Sequence, residues 1–224
     1  MKNVLRTIRD AAVQQQRRKR ASRLGAAFFP PNYVFFDRLG PDSVVVDVGC
    51  GHEAELSEHL ITTRGVQAFG VDPTRKHAPH LQALEARTDG RFTHLPVAVA
   101  AERGTLTFHE SVENESGSLL TSHANVTADE IRTYEVETLT LADLAECVGG
   151  TADLLKLDLE GAEYALLDGV TGTDLDPFDQ VLVEFHHHCV PDRTAEDTHR
   201  LTERLKGFGM RTFEISHRDV LFYR

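Results

Sequence analysis

Apolar positions fall into short runs that alternate with amphipathic stretches, a pattern typical of a sheet whose strands are joined by helices. The runs predicted as strands are 43–46, 66–71, 92–99, 153–158 and 180–186. The stretches predicted as connecting helices are 52–63, 74–87, a helix entered through 159–163 and running to about 168, and 195–208. Two last runs, 210–215 and 220–223, predict a hairpin. We therefore expect an α/β fold with a seven-stranded, mostly parallel sheet, a C-terminal antiparallel hairpin and helices on both faces.

Between the third and fourth strands the chain contains material that the parallel sheet does not need. Two alternating runs, 105–108 and 134–141, predict extra strands, and 142–148 predicts a short helix. The stretch 112–129 is polar and has the composition of a mobile active-site loop.

A basic helix and an aromatic stretch precede the first strand of the sheet. Apolar spacing predicts a helix over residues 3–24, and the prolines at 30 and 31 end any helix there. The aromatic residues within 33–36 are expected to pack on the domain, either as a lid or a wall of the substrate site or, as such groups more often do, as part of the core. We thus divide the chain into an N-terminal lid or docking segment, residues 1–42, and a main domain, residues 43–224.

Charge is spread unevenly along the chain. Of 24 basic and 35 acidic residues, residues 1–24 contain eight basic and one acidic, so the rest has a formal charge of −18. A strongly acidic body argues against nucleic acid as the main partner. The basic helix either contacts an anionic partner or membrane surface, or is a solvated helix packed on the acidic domain.

Composition describes an ordinary globular protein of one main domain, with 26% charged and 41% apolar residues. The longest apolar runs fall far short of a membrane span, and no signal-peptide pattern is found at the N-terminal end. Three widely separated cysteines imply neither a disulfide framework nor a paired-cysteine zinc site. A cytoplasmic location is expected.

The stretch 43–60 reads as strand, glycine turn and helix, the first half of a nucleotide-binding βαβ unit. Gly49-x-Gly51-x-x-Ala54 formally satisfies the dinucleotide fingerprint, but Asp47 places a carboxylate directly before the turn. This charge disfavours a pyrophosphate and favours a ligand that carries an ammonium and a sulfonium. S-adenosylmethionine is therefore preferred over NAD.

An acid at the end of the second strand lies beside the glycine turn, where it can accept both hydroxyls of a ribose. That acid is Asp72, and the end of the third strand is expected along the adenine edge. The predicted cofactor-binding residues are Asp47, Val48, Gly49, Gly51, Asp72, Pro73, Ala98 and Val99.

Several segments together resemble the FkbM family of S-adenosylmethionine-dependent methyltransferases. They are VVVDVGCG at 44–51, GVDP at 70–73, LPVAVAAERGTLTF at 95–108, ETLTLADL at 137–144, LLKLDLEGAEYALLDG at 154–169 and VLVEFH at 181–186. The resemblance implies a Rossmann-like class I methyltransferase fold and S-adenosylmethionine as donor. It also implies methylation of a hydroxyl oxygen, often on a sugar or natural-product scaffold.

The chain departs from the family pattern in its glycine turn. The family usually has an asparagine where this chain has Gly51 and a glycine where it has Glu53. Glu53 suits the positive end of a helix dipole but is expected to crowd the methionine end of the cofactor.

Acids and histidines follow the fourth and fifth strands, whose carboxyl ends meet at one edge of the sheet. Transfer of a methyl group to oxygen requires removal of the hydroxyl proton, either by a base or with a divalent ion that lowers the hydroxyl pKa. The predicted catalytic residues are Asp158, Glu184, His186 and His187. Three of them, Asp158, Glu184 and His186, also form a candidate site for magnesium or another divalent cation. Glu160 and Glu163 are further candidates.

The sequence leaves other functions open. Methylation of nitrogen would need less help from a base or a metal. A non-catalytic protein that binds S-adenosylmethionine and docks a partner through the basic helix is a second alternative, and Glu53 favours it. A dehydrogenase is the most distant one.

Overall fold

The structure is a computed structural model that describes residues 2–124 and 130–224, so the last part of the predicted polar loop 112–129 lies outside the described residues. The strands are β1 (Ala26–Phe29), β2 (Tyr33–Phe36), β3 (Val44–Val48), β4 (Gln67–Val71), β5 (Phe92–Leu95), β6 (Ala98–Val99), β7 (Gly104–Ser111), β8 (Gly117–Ser118), β9 (Ile131–Leu139), β10 (Leu154–Asp158), β11 (Gln180–Glu184), β12 (Arg211–Glu214) and β13 (Asp219–Tyr223). The helices are α1 (Lys2–Leu24), α2 (Glu55–Arg64), α3 (Ala78–Arg87), α4 (Leu141–Cys147), α5 (Glu163–Gly169), α6 (Gly172–Leu175) and α7 (Ala195–Gly207).

The central sheet has seven strands in the order β12-β13-β11-β10-β3-β4-β5. Neighbouring strands from β11 to β5 run parallel, whereas β13 pairs antiparallel with β11 and with β12. The predicted seven-stranded, mostly parallel sheet with an antiparallel C-terminal hairpin is confirmed.

Each face of this sheet has its own apolar core. Successive residues of a strand point to opposite faces, so Val46 joins the core formed with α4, α5, α6 and α7. Val45 joins the core formed with α1, α2, α3 and the β1–β2 hairpin. Helices therefore cover both faces, as predicted.

The strand order reverses at β3. The chain passes from β3 outward to β4 and β5 on one side, then returns to place β10 and β11 on the other. Such a reversal leaves a crevice at the carboxyl ends of the strands, where ligands bind in sheets of this type.

The predicted third strand, 92–99, is divided in two. β5 ends at Leu95, because Pro96 has no N–H to donate to a neighbouring strand. The chain then leaves the central sheet, and β6 pairs with β9 in a second sheet of order β6-β9-β7-β8. The runs predicted as extra strands thus form a separate small sheet beside the crevice.

The predicted basic helix is present as α1, and the aromatic stretch 33–36 forms strand β2 of a hairpin. Val34 and Phe35 are buried in the core below α2, and Phe36 N donates a hydrogen bond to Gln180 Oε1 at 2.5 Å. This segment therefore shares the core of the main domain, and its role as a lid or docking element stays a prediction. None of the helices described is long and apolar enough to cross a membrane.

Two helices begin later than their patterns predict. Ala54 has a left-handed backbone, with φ of 44°, so the turn continues to this residue and α2 starts at Glu55. The residues after Pro73 form a turn in which His77 N donates to Thr74 O, and α3 starts at Ala78. Both delays leave polar residues in loops at the crevice.

Candidate active site

A cavity of about 240 Å³ lies at the carboxyl ends of β3, β4 and β10. Most of the predicted cofactor residues line it: Val48, Gly49, Gly51, Asp72, Pro73, Ala98 and Val99. The opposite side is formed by Phe108 and by the loop that leads into β8. The crevice expected from strand order is thus a cavity with residues on both sides, and most of its lining is apolar.

The glycine turn at the floor of the cavity depends on a close approach of two backbones. Gly49 has φ of 69°, and a Cβ built on it would lie 1.8 Å from the backbone oxygen of Asp158. Its N–H donates to Val71 O at 2.8 Å. Only glycine fits between β3 and β10 at this position.

Asp47 lies beneath the turn and does not line the cavity, although the sequence placed it among the cofactor residues. Its carboxylate accepts a hydrogen bond from Ser57 Oγ at 2.8 Å and lies 3.2 Å from Lys156 Nζ. Lys156 Nζ also donates to Gly49 O at 2.9 Å and lies 3.4 Å from Asp158 Oδ2. Burial lowers the pKa of Lys156, but the two carboxylates outweigh burial and raise it well above its ordinary value. This buried charge network supports the glycine turn from below.

Asp72 faces the cavity from the end of β4 as predicted. Its carboxylate accepts hydrogen bonds from Thr74 N at 2.8 Å and Gly51 N at 2.9 Å, and His77 Nδ1 lies 3.1 Å away. Burial raises the pKa of Asp72, but the hydrogen bonds from His77 and Thr74 outweigh it and bring the pKa below its ordinary value. The group is an ionised acceptor at neutral pH.

A cluster of acids and imidazoles closes the other end of the cavity. Asp158 and Glu160 line it, and His186 lies behind them. His186 Nε2 is 3.5 Å from Asp158 Oδ1 and 3.7 Å from Glu160 Oε2, and its Nδ1 is 3.4 Å from Glu163 Oε1. Burial lowers the pKa of His186, but these three carboxylates raise it to about 10. His186 is therefore an imidazolium at neutral pH.

The comparisons with known proteins agree with this geometry. The family model described as the methyltransferase FkbM domain matches residues 31–212. The chain belongs to the FkbM methyltransferase family. The resemblance and the class I fold expected from the sequence are confirmed, and S-adenosylmethionine is the methyl donor that this family implies. No curated protein sequence matches the chain at a significant level.

Among solved structures, the FkbM protein is similar to a fibrillarin/Nop5p complex, with 11% identity over 83% of this chain and 74% of that one and a TM-score of 0.50. A Methanococcus jannaschii fibrillarin pre-rRNA processing protein has 10% identity over 91% and 71%, with a TM-score of 0.48. Precorrin-6y C5,15-methyltransferase from Geobacter metallireducens has 13% identity over 93% and 86%, with a TM-score of 0.44. At such identities the likeness concerns the fold alone.

Of the four predicted catalytic residues of the FkbM protein, Asp158 lines the main cavity, whereas His186, Glu184 and His187 do not. Glu184 is the register partner of Asp158 and lines a small adjoining cavity with Tyr33 and Lys156. Burial, and next the charge of Asp158, raise the pKa of Glu184 to about 7. His187 has its Nδ1 3.0 Å from Thr198 Oγ1 on α7 and does not line either cavity.

Sequence reasoning missed His123, which is fully buried with its Nε2 2.9 Å from Glu160 Oε2. It also missed His77 and Glu115, which line the cavity near Asp72. His123 and Glu115 come from the polar loop, where no periodicity marks one residue over another. Glu160, weighed only as a further candidate, has a left-handed backbone with φ of 48°, a conformation that is rare outside glycine and concentrated at functional sites.

Glu53, the departure from the family pattern, does not reach the cavity. Its side chain is 63% exposed and lies 3.6 Å from His52 Nε2. Glu53 therefore lies outside the cavity where the cofactor is expected, and its crowding of the methionine end stays a prediction.

Proposed function

We propose that this FkbM methyltransferase transfers the methyl group of S-adenosylmethionine to a hydroxyl oxygen of a small molecule, such as a sugar or a natural-product scaffold. One observation carries the proposal. A single cavity joins the ionised Asp72 and the glycine turn at one end to Asp158 and Glu160 at the other. A donor held at the first end would present its methyl group near the second.

The residues present fit the donor. With Gly51 N, Thr74 N and His77 Nδ1 already against it, the Asp72 carboxylate keeps at most one of its four lone-pair sites for a ribose hydroxyl. Gly49 allows the backbone to approach the ligand, and Ala98 and Val99 offer an apolar edge for the adenine. Bound S-adenosylmethionine would supply an electrophilic methyl group on a sulfonium, a charge suited to the nearby acids.

The acid cluster suits the removal of the hydroxyl proton. As the acceptor oxygen bonds to the methyl carbon and the carbon–sulfur bond breaks, the hydroxyl proton passes to a base. His186 is already protonated, so we assign the base role to Asp158, whose pKa is raised by burial against the opposing effects of Lys156 and His186. His186 then orients Asp158 and stabilises its charge.

The other two predicted catalytic residues take different places in this proposal. Glu184, with its pKa near 7, is a second proton acceptor behind Asp158. The contact of His187 with Thr198 favours a positioning role for the loop after β11. The alternative way to activate the hydroxyl is a divalent cation held by Asp158, Glu184 and His186, although Glu184 lines a different cavity and, among the described residues, these three do not form a metal-ligand cluster. In that case a chelator would abolish activity and magnesium would restore it.

The first test is calorimetric titration with S-adenosylhomocysteine and with NAD. We expect binding of the first ligand and none of the second, because the other acids of the cavity, Glu115, Asp158 and Glu160, disfavour a pyrophosphate. A screen of hydroxylated compounds and amines for release of S-adenosylhomocysteine would then identify the acceptor. Turnover with amines alone would contradict the assignment to oxygen.

The second test is the variant Asp158→Asn. Loss of a general base lowers kcat by about 10²-fold or more, whereas the affinity for S-adenosylhomocysteine should stay the same. The matched control is Asp168→Asn, which removes a surface carboxylate paired with Arg200. Full activity of Asp158→Asn would contradict the proposed base.

A further inference from the structure

Three metal-ligating side chains from separate parts of the chain converge at the mouth of the cavity, away from the acid cluster. His52 lies in the glycine turn, His77 precedes α3, and Glu115 lies in the loop between β7 and β8. Glu115 Oε2 is 2.9 Å from His77 Nε2 and 3.4 Å from His52 Nδ1. One ligand atom from each residue lies within 4.8 Å of the others, a spacing that one ion can bridge.

A carboxylate behind the cluster holds one of these ligands in place. Asp72 Oδ2 is 3.1 Å from His77 Nδ1, which leaves Nε2 turned toward Glu115. His77 is nearly fully buried, with 4% of its side chain exposed. Metal-binding histidines characteristically donate their second ring nitrogen to a carboxylate, which fixes the tautomer and the ring orientation.

The simpler interpretation is a hydrogen-bonded chain of Asp72, His77 and Glu115. That chain does not account for His52, whose nitrogen faces the same oxygen of Glu115 without hydrogen-bond geometry. The hydrogen-bonded chain also leaves a second acid unexplained. Glu53 lies 3.6 Å from the other ring nitrogen of His52. A cation placed among the three side chains satisfies both histidines and the carboxylate at once.

We propose that His52, His77 and Glu115 bind a divalent transition-metal ion of the zinc class. Two imidazoles and one carboxylate are a ligand set that zinc takes with a water in the fourth position. Magnesium prefers oxygen ligands and is expected to bind this set poorly. The site is distinct from the Asp158 cluster and does not depend on methyl transfer.

The ion would join the loop that carries Glu115 to the glycine turn and to the start of α3. His77 and Glu115 line the donor cavity, so this link closes the cavity over a bound ligand. The effect on the donor rests on the proposed function, whereas the metal site stands on its own ligands.

The metal site is tested by calorimetry on the full chain, without a histidine tag and treated with a chelator, using zinc chloride and magnesium chloride. We expect one zinc per chain and no magnesium binding at this site. Zinc affinity should fall at least about tenfold in His52→Ala and in Glu115→Gln, because each removes one of three ligands.

Matched controls separate this site from other histidines and acids. His199→Ala removes an exposed histidine on α7, and Glu113→Gln changes a carboxylate in the same loop as Glu115. Both controls should bind zinc as the unaltered protein does. If His52→Ala and Glu115→Gln both bind zinc as tightly as the unaltered protein does, the proposal is overturned. So would loss of zinc in His188→Ala, which would place the ion at the histidines after β11.

Closure is tested by the dissociation rate of S-adenosylhomocysteine with and without zinc. Zinc should slow the dissociation of S-adenosylhomocysteine from the unaltered protein and should not change its dissociation rate from Glu115→Gln. If zinc binds but does not alter dissociation, the proposed closure is overturned. If S-adenosylhomocysteine fails to bind at all, the proposed function fails, and the zinc titration still decides the metal site.

Discussion

Gly49 and Gly51 share a left-handed backbone conformation but differ in what surrounds their α-carbons. A Cβ on Gly49 would meet the backbone oxygen of Asp158 at 1.8 Å, whereas a Cβ on Gly51 would meet nothing within 4 Å. Gly51→Ala should therefore cost only the left-handed backbone penalty, about 1 kcal/mol. Gly49→Ala adds the displacement of a strand end and should cost about 3 kcal/mol in sum.

Urea unfolding of the two variants measures this difference, and each variant is the other's control. Equal destabilisation of the two variants would contradict the close contact between Gly49 and the backbone of Asp158 at the end of β10.

His186 should make stability depend on pH in the alkaline range. Its pKa is about 10 in the folded protein and about 6.5 in an unfolded chain. A group whose pKa is higher in the folded state than in the unfolded state contributes its full stabilisation of the fold at pH values below the unfolded-state pKa. Its contribution is then lost as the pH rises toward the folded value. The free energy of unfolding should thus fall between about pH 6.5 and 10 because His186 loses its proton.

The comparison is with His186→Gln, which cannot take up the proton. The stability advantage of the unaltered protein over this variant should shrink across that range, as measured by urea midpoints at several pH values. An advantage that stays constant would contradict the imidazolium assignment.

Residues at strand ends were predictable from the sequence, and residues in the polar loop were not. Asp72 and Asp158 directly follow apolar runs, and the carboxyl ends of parallel strands lie at one edge. His123 lies against Glu160 and Glu115 lies against His77, long-range contacts that no local pattern encodes. The charge state of His186 could not be predicted from the sequence either, because it depends on three carboxylates that lie around one ring in the fold.

At the level of elements, the last turns of α1 contact the domain. Arg20 donates a hydrogen bond to Glu214 O at 2.6 Å, and its guanidinium lies 5.2 Å from the ring centre of Phe213. Arg20→Ala should therefore destabilise the protein by about 1 kcal/mol. Arg18 is exposed, and Arg18→Ala should leave stability unchanged.

Thermal and urea unfolding of these two variants measure the contact. If both variants unfold like the unaltered protein, α1 does not pack on β12 in solution. If both leave methyl transfer intact, the helix is not part of the catalytic site.

The type and order of the main elements of the central sheet followed from periodicity, but several of their ends did not, and the β1–β2 hairpin and α6 were not predicted. The predicted strand 92–99 is interrupted at Pro96. Its second half, β6, pairs with β9, which also pairs with β7 in a separate sheet. The pairing of β6 with β9 joins residues that are far apart in the chain, so no short stretch of sequence predicts it. The late start of α2 has a local cause, the left-handed Ala54, yet alanine gives no signal for such a turn.

For the whole molecule, charge separates the body from its N-terminal helix. Residues 25–224 have a formal charge of −18, and the basic residues of residues 1–24 are concentrated on one helix. The acids at the cavity suit a cationic sulfonium donor, whereas a polyanion would be repelled by the same surface. From this charge distribution we expect that the acidic body does not bind nucleic acid.

The last prediction concerns single-stranded RNA. Binding of a nucleic acid depends chiefly on basic groups that neutralise phosphates, and the acidic body offers few. Fluorescence anisotropy at about 0.1 M salt should show no binding tighter than about 10⁻⁴ M. The matched variant replaces three exposed basic residues of α1, Arg18, Lys19 and Arg23, with glutamine. Binding that this variant abolishes would make α1 a docking element for an anionic partner, and binding that it leaves unchanged would contradict the argument from charge altogether.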